Sequence, residues 1–200
     1  QICVSPDYAL VPRESVEAFA AAVRNSFDKL FGGDVFAQHD YTSVVNDRHF
    51  ARITALLDDA RAKGATVASC GPYDSTKGGR RMPLHIVTGC RADMRIMQEE
   101  LFGPILPVVP YDSLDEAIDF INDGDRPLAM YCFSHDAAAR GELLRRTHSG
   151  GVTINDWGWH VFQHDLPFGG IGQSGMGSYH GEEGFRELSH AKAVFRRHRF

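Results

Sequence analysis

The stretch PILPVVPYDSLDEAIDFI, residues 104–121, contains the strand and the helix from which the fold class can be predicted. Its first half is an apolar run interrupted by prolines, which is typical of a short strand with a bend or a sheet-edge position at Pro107. Ser113 and Glu116 then have the spacing of a capping box, which predicts a helix through Ile121. A strand followed at once by a helix is the repeating unit of α/β folds.

The same alternation of strands and helices continues in both directions along the chain. Short apolar runs predict further strands over residues 8–12, 65–69, 84–87, 127–133 and 150–155. Helical periodicity predicts helices from Val16 to the glycines at 32 and 33, from Asn46 or Asp47 to Gly64, and over residues 137–146. We therefore predict an α/β fold with a parallel sheet and helices on both of its faces.

The last part of the chain has no such alternation. From Asp156 to His190 the sequence contains aromatic residues, histidines and glycines without a strong period, which is more often a functional loop than a connector. The closing residues Ala193–Arg199 have the pattern of a strand with no partner nearby in sequence. This indicates that the final strand pairs outside its own domain.

Composition and charge exclude several classes of protein. The chain has 200 residues, 43% of them hydrophobic, and a formal net charge of -5, so a nucleic-acid partner is not expected from its charge. The one basic run, FRRHRF at residues 195–200, is typical of a solvated edge. We expect no membrane span and a cytoplasmic location. The four cysteines are widely spread without a C-x-x-C pair, so we expect reduced thiols and no metal site.

Two apparent motifs are rejected by their context. Residues 170–175, GIGQSG, fit the G-x-G-x-x-G pattern, but no apolar strand precedes them and no apolar helix follows them, as a dinucleotide-binding turn requires. His160 and His164 have the spacing of two metal ligands on a helix. Because the sequence between them lacks the glutamate of H-E-x-x-H, and Gly158 and Pro167 lie nearby, a metal site is not expected.

Three segments together resemble the aldehyde dehydrogenase superfamily, and in particular its class 3 branch. QIC at residues 1–3 is similar to the end of the family's G-Q-x-C nucleophile motif, EELFGP at residues 99–104 to its E-E-I-F-G-P motif, and LPFGGIGQSGMGSYHG at residues 166–181 to its P-F-G-G segment. Two features point to the class 3 branch: CVSPDY at residues 3–8, and SGMGSYHG at residues 174–181 followed by Phe185 and by Ser189 and His190. The motifs occur in the family's order over nearly the whole chain.

The resemblance implies a role for each matched residue. Cys3 would be the catalytic thiol, although a free cysteine is more often a packing residue and no Lys, Arg or His lies within three positions of it. Glu100 would bind the nicotinamide ribose and Phe102 would pack near the nicotinamide of NAD or NADP. Asn155 and Phe168 would line the pocket for an aldehyde, with an aromatic aldehyde such as coniferyl aldehyde as the expected substrate. From composition alone, EELFGP is more often a solvated charged turn with Phe102 in the core.

The resemblance also implies what surrounds these residues. Residues 1–190 would form the catalytic domain, and residues 191–200 an oligomerisation strand added to the sheet of a neighbouring subunit in a homodimer or larger homo-oligomer. The family's NAD(P)-binding domain, general-base glutamate and oxyanion-hole asparagine precede the nucleophile and would be absent, so we expect these residues alone to be inactive. Two alternatives remain, a cysteine-dependent esterase or acyltransferase and a noncatalytic oligomerisation module.

Overall fold

The computed structural model of the chain describes residues 1–74, 76 and 79–198. The chain divides into two compact units, Gln1–Ser113 and Leu114–Phe200. Both units combine strands with helices, and their sheets are rich in parallel pairs, which confirms the predicted α/β class. The prediction of one catalytic domain over residues 1–190 stays a prediction.

The first unit is built on a four-stranded sheet in the order β1-β4-β3-β2. The strands β1, β4 and β3 are parallel, whereas β2 at the edge runs antiparallel to β3, so the sheet is mixed and not purely parallel. Two helices accompany the sheet. The elements are β1 (Ala9–Pro12), α1 (Val16–Phe31), α2 (Asp47–Ala62), β2 (Thr66–Ser69), β3 (His85–Thr88) and β4 (Ile105–Tyr111).

The helices α1 and α2 cover opposite faces of this sheet. Ile86 packs with Ala20 of α1, whereas its neighbour Val87 packs with Ile53 and Leu57 of α2. Because successive residues of a strand point to opposite faces, the two helices lie on the two sides of β3. The predicted arrangement of helices on both faces is confirmed for this unit.

The helix ends follow the predicted signals. The α1 helix ends at Gly32, whose φ of 62° is a left-handed conformation that glycine adopts at little cost. The α2 helix begins after Asn46, whose side chain accepts a hydrogen bond from the backbone N–H of His49 at 2.8 Å. This bond satisfies a backbone donor that the first turn of a helix leaves free.

The predicted edge position of Pro107 is wrong. The β4 strand lies between β1 and β3, and Pro107 stands in register with Val87 of β3. Pro107 and Val108 are both buried, because helices cover both faces of the strand. The apolar run therefore specifies a central strand, in which a proline removes only one ladder donor.

The second unit contains a two-stranded parallel sheet of β5 and β6. Ile118, Met130 and Leu143 form its small core. The predicted loop over residues 156–190 is mostly irregular, but it includes helices too short for a 3.6-residue period to reveal. The elements are α3 (Leu114–Asp123), β5 (Ala129–Cys132), α4 (Ala137–Arg146), β6 (Gly151–Ile154), α5 (Trp159–Phe162) and α6 (Gly181–Glu187).

Over its described residues, 193–198, the predicted closing strand is not paired with any strand of the single chain. Residues 191–198 are exposed and unassigned to any regular element, and residues 199 and 200 lie outside the described part. The apolar side chains of Val194 and Phe195 are 81% and 90% exposed. Pairing of this segment with another subunit stays a prediction. Among the described residues, no helix combines the length and apolar character needed to cross a bilayer.

Candidate active site

Cys3 lies in a short turn that presents its thiol to solvent. The backbone N–H of Ser5 donates to the carbonyl of Ile2 at 2.9 Å, which closes the turn around Cys3. Cys3 is exposed, whereas Val4 beside it is only 2% exposed and anchors the turn in the protein. The turn therefore combines an accessible sulfur with a fixed backbone.

The side chain of Gln1 holds the other end of the turn. Its Nε2 donates to the carbonyl of Ser43 at 3.0 Å, and its Oε1 accepts from the backbone N–H of Val45 at 2.9 Å. The amide thus bonds to a backbone carbonyl and a backbone N–H two residues apart. These two bonds restrict the chain directly before Cys3.

Asp7 connects the Cys3 turn to the EELFGP loop. Its Oδ1 accepts a hydrogen bond from the backbone N–H of Leu101 at 2.9 Å. Leu101 is 1% exposed, and Glu100 and Phe102 flank it. The structure therefore brings the segment that carries Cys3 together with the loop that carries both predicted cofactor-binding residues, Glu100 and Phe102.

Glu100 and Phe102 occupy a loop of unusual backbone geometry. Glu100 is exposed, and Phe102 is half-buried with a φ of 52°. A Cβ at Gly103 would lie 2.3 Å from Ile53 Cδ1 on α2, so a larger residue would have to displace the buried Ile53 side chain. The left-handed Phe102 is a local strain that the surrounding contacts must maintain.

Two residues of α2 supply those contacts, and sequence reasoning missed both. Arg52 donates to the carbonyl of Leu101 at 2.6 Å and pairs with Glu99 at 3.3 Å. His49 Nε2 donates to the carbonyl of Phe102 at 3.0 Å. The sequence feature that could have indicated them is their spacing of three residues, which puts both side chains on one face of a helix.

In the second unit, the side chain of Asn155 bonds to the backbone of Ser134. Its Oδ1 accepts from the Ser134 N–H at 2.8 Å, and its Nδ2 donates to the Ser134 carbonyl at 3.1 Å. Asn155 has a φ of 57°, a conformation that asparagine tolerates better than most residues. The amide therefore ties the segment after β6 to the segment after β5.

Phe168 begins the glycine-rich loop of the second unit. Its backbone forms an antiparallel bridge with Tyr179, through bonds of 2.8 and 2.9 Å. Its ring is half-buried and stacks on His180, with the ring centroids 6.0 Å apart. The residues 170–175 that follow form a turn with a 3-10 segment over Gly172–Ser174, not a strand-to-helix phosphate turn.

His160 is a buried residue of α5. Its Nδ1 lies 2.7 Å from Thr153 Oγ1, and its ring packs against Gly151. Burial lowers the pKa of the imidazole below its ordinary value, which favours the neutral ring. In the described part of the chain, no three histidine, cysteine or acidic side chains are grouped in a way that could hold a metal ion.

The four cysteines differ in accessibility, and alkylation can test this. Cys3 is exposed, whereas burial raises the pKa of the Cys70 and Cys132 thiols and raises that of Cys90 to about 11. We expect iodoacetamide to modify Cys3 first and Cys90 last near neutral pH, with the Cys90 rate roughly 100-fold reduced by its smaller thiolate fraction. Peptide mass spectrometry over time measures the four rates.

The same reaction in denaturant is the control, because unfolding removes the differences in burial. Native Cys70 or Cys90 reacting as fast as Cys3 would contradict the structure. It would also favour the noncatalytic oligomerisation module, which requires no special accessibility at Cys3.

These features define an α/β protein in which the segment that carries an accessible thiol is hydrogen-bonded to a loop with a strained backbone. The Aldehyde dehydrogenase family model matches residues 1–194, and the chain belongs to that family. A probable coniferyl aldehyde dehydrogenase of Caulobacter vibrioides is 50% identical over 198 residues, which cover 98% of this chain and 41% of the relative. The coniferyl aldehyde dehydrogenase of Pseudomonas sp. strain HR199 is 43% identical over 97% of this chain and 41% of that protein.

Solved structures show the same fold. The substrate-bound state of Staphylococcus aureus AldH matches with a TM-score of 0.89 and 37% identity, over 100% of this chain and 43% of that one. A betaine aldehyde dehydrogenase of the same organism in complex with NAD+ has a TM-score of 0.79 and 31% identity, over 93% of this chain and 37% of its own. The chain thus spans about two fifths of the length of these relatives.

Proposed function

We propose that this chain supplies the nucleophile of an enzyme that oxidises an aldehyde to a carboxylic acid with NAD or NADP. The observation that carries the proposal is the exposed thiol of Cys3 on a turn fixed by Gln1 and Val4. A nucleophile must be reachable by substrate yet held in one position, and this turn meets both requirements. Membership of the aldehyde dehydrogenase family supports the proposal.

The proposed reaction proceeds through two covalent states of Cys3. The thiolate attacks the aldehyde carbon and forms a thiohemiacetal, whose oxyanion needs hydrogen-bond donors. Loss of hydride from that carbon leaves a thioester. Water, activated by a general base, then attacks the thioester, so that the carboxylic acid leaves and the thiol is regenerated. Sulfur suits this sequence because a thioester remains open to attack by water.

The EELFGP loop fits the cofactor that the family uses. Nicotinamide, when bound, supplies the acceptor for the hydride. Glu100 is exposed, so its carboxylate is available to accept hydrogen bonds from ribose hydroxyls. Phe102 is half-buried, so part of its ring is available to pack against a planar group. A structural neighbour in complex with NAD+ supports the use of a nicotinamide cofactor in general, and the choice between NAD and NADP stays open.

An aromatic aldehyde, such as coniferyl aldehyde, is the proposed substrate. Two relatives carry the name of a coniferyl aldehyde dehydrogenase or a probable one. Directly after Asn155, aromatic rings form a cluster in which Phe162 lies 6.0 Å from Trp157 and 6.4 Å from Trp159, measured between centroids. Trp159 and Phe162 are 60% and 56% exposed. Exposed, mutually packed rings favour a planar aromatic ligand.

We propose further that residues 1–200 do not oxidise aldehydes alone. They span about two fifths of the length of their relatives. The family resemblance implies that a cofactor-binding domain and a general base precede the nucleophile. The exposed apolar side chains of Val194 and Phe195 support association with a second subunit in a homodimer or larger homo-oligomer. A cytoplasmic location stays a prediction.

The test measures reduced nicotinamide produced by the full gene product that contains these residues, with coniferyl aldehyde, benzaldehyde and acetaldehyde and with NAD+ or NADP+. We expect the aromatic aldehydes to give the higher kcat/KM. Residues 1–200 expressed alone should give no turnover. A gene product inactive with every aldehyde would contradict the proposed function, whereas an active 1–200 chain would contradict only the proposal of inactivity.

A further inference from the structure

Asp7 occupies a particular position between the two functional segments of the first unit. It follows Cys3 by four residues and precedes β1 by two. Its carboxylate accepts the backbone N–H of Leu101, which lies far along the chain. Because the bond is to a backbone group, it fixes the direction of the chain at Leu101, and with it the residues on either side.

The Asp7 carboxylate is partly removed from water, which disfavours its charged form, and its interactions with Leu101 and Arg52 offset part of that effect. Removal from water raises the pKa of its carboxyl, and the nearby charge of Glu100 also raises it, whereas the bond from Leu101 and the charge of Arg52 lower it. A desolvated carboxylate is unfavourable unless it is bonded. An apolar residue would avoid that desolvation, but it could not accept the Leu101 N–H.

The Leu101 residue is held at both of its backbone groups by charged side chains. Asp7 accepts from its N–H at 2.9 Å, and Arg52 donates to its carbonyl at 2.6 Å. Charge-assisted bonds of this kind are roughly twice as strong as neutral ones. With both groups fixed and the side chain buried, the loop has little freedom to turn Glu100 or Phe102 away.

We propose that Asp7 is a positioning residue that couples the Cys3 turn to the EELFGP loop. It does so by fixing the backbone of Leu101 and thereby the direction of Glu100. This inference rests on the proposed function. Loss of the Asp7 acceptor should therefore affect cofactor binding and not the Cys3 nucleophile. Cys3 remains in its turn, which Gln1 and Val4 hold. Glu100, in contrast, is no longer directed by a fixed backbone at Leu101.

The test compares Asp7→Ala and Asp7→Asn in the full gene product. The first readout is KM for NAD(P)+ in aldehyde oxidation, and the second is hydrolysis of p-nitrophenyl acetate by Cys3 without cofactor. We expect Asp7→Ala to raise KM for the cofactor by about tenfold, and Asp7→Asn by about threefold because its amide oxygen still accepts a hydrogen bond. Ester hydrolysis should stay within about twofold of the wild type in both variants.

Asp34→Ala is the matched control, because Asp34 also accepts a backbone N–H, that of Phe36 at 2.9 Å, in an exposed turn. It should leave both readouts unchanged.

If Asp7→Ala does not fold, the Asp7→Asn variant alone decides, and an unchanged KM for the cofactor in that variant overturns the inference. Equal losses of ester hydrolysis and of cofactor affinity overturn it as well. A wild-type protein without aldehyde oxidation overturns the proposed function and this inference together, whereas an active wild type with unaffected variants overturns the inference alone.

Discussion

Replacing Cys3 with serine is expected to reduce aldehyde oxidation by roughly a thousandfold or more, because the hydroxyl is a far weaker nucleophile than the thiolate. In the proposed reaction, both the thiohemiacetal and the thioester form on the Cys3 sulfur. Loss of that sulfur therefore lowers kcat and kcat/KM by similar factors. The measurement is the rate of nicotinamide reduction by the full gene product with coniferyl aldehyde at saturating cofactor.

The matched control is Cys70→Ser. Cys70 is half-buried and packs at the edge of the α1 core, so its replacement is expected to lower stability slightly without affecting catalysis. Cofactor binding to Cys3→Ser, followed by protein fluorescence, should remain close to that of the wild type, which shows that the variant is folded. Turnover by Cys3→Ser within tenfold of the wild type would exclude Cys3 as the nucleophile.

Replacing Gly150 with alanine is expected to destabilise the second unit by about 3 kcal/mol, at the upper end of overpacking effects. A Cβ at this position would lie 2.2 Å from the carbonyl oxygen of Gly169 and 2.6 Å from that of Leu128. Both obstacles are backbone atoms, so neither can move aside by a change of rotamer. The displaced segment includes Phe168, next to Gly169, so activity with aromatic aldehydes should fall as well.

Gly141→Ala is the control for Gly150→Ala. Gly141 lies inside α4, and a Cβ there would meet no atom within 4 Å. Because alanine favours the helix, this variant should gain up to about 1 kcal/mol. Urea unfolding, followed by circular dichroism, measures both changes. Equal free energies of unfolding for Gly150→Ala and the wild type would contradict the prediction. They would show that the backbone at Gly169 and Leu128 moves aside at little cost.

Local sequence signals were sufficient for most elements of the fold. The helix at residues 137–146 is α4 with the predicted bounds, and Asn46 caps α2 as one of two predicted candidates. These features depend on side chains within a few residues of one another. The short helix α5 was missed because four residues are too few to show a helical period. The central position of Pro107 was missed because an edge strand and a central strand differ only in their neighbouring strands, which the local sequence does not specify.

For the candidate site, the motifs located the loops but not the contacts that hold them. Cys3, Glu100 and Phe102 were found through their resemblance to family motifs, and their individual roles stay predictions. Asp7 and Arg52 were not found, since each acts on the backbone of Leu101, with which it shares no local pattern. The place of Asn155 in the aldehyde pocket stays a prediction, and its bonds to Ser134 were not found from the sequence.

The sequence by itself determined the order of the strands and longer helices up to β6, the ends of those helices and the family, because each of these is encoded by neighbouring residues or by a short motif. Only the tertiary structure decided the order β1-β4-β3-β2, the bond from Leu101 to Asp7 and the bonds of Gln1 to the segment around Ser43. The physical reason is that such contacts join residues distant in sequence. They form when core packing offsets the entropy of closing the loops between them, and no local pattern records that balance.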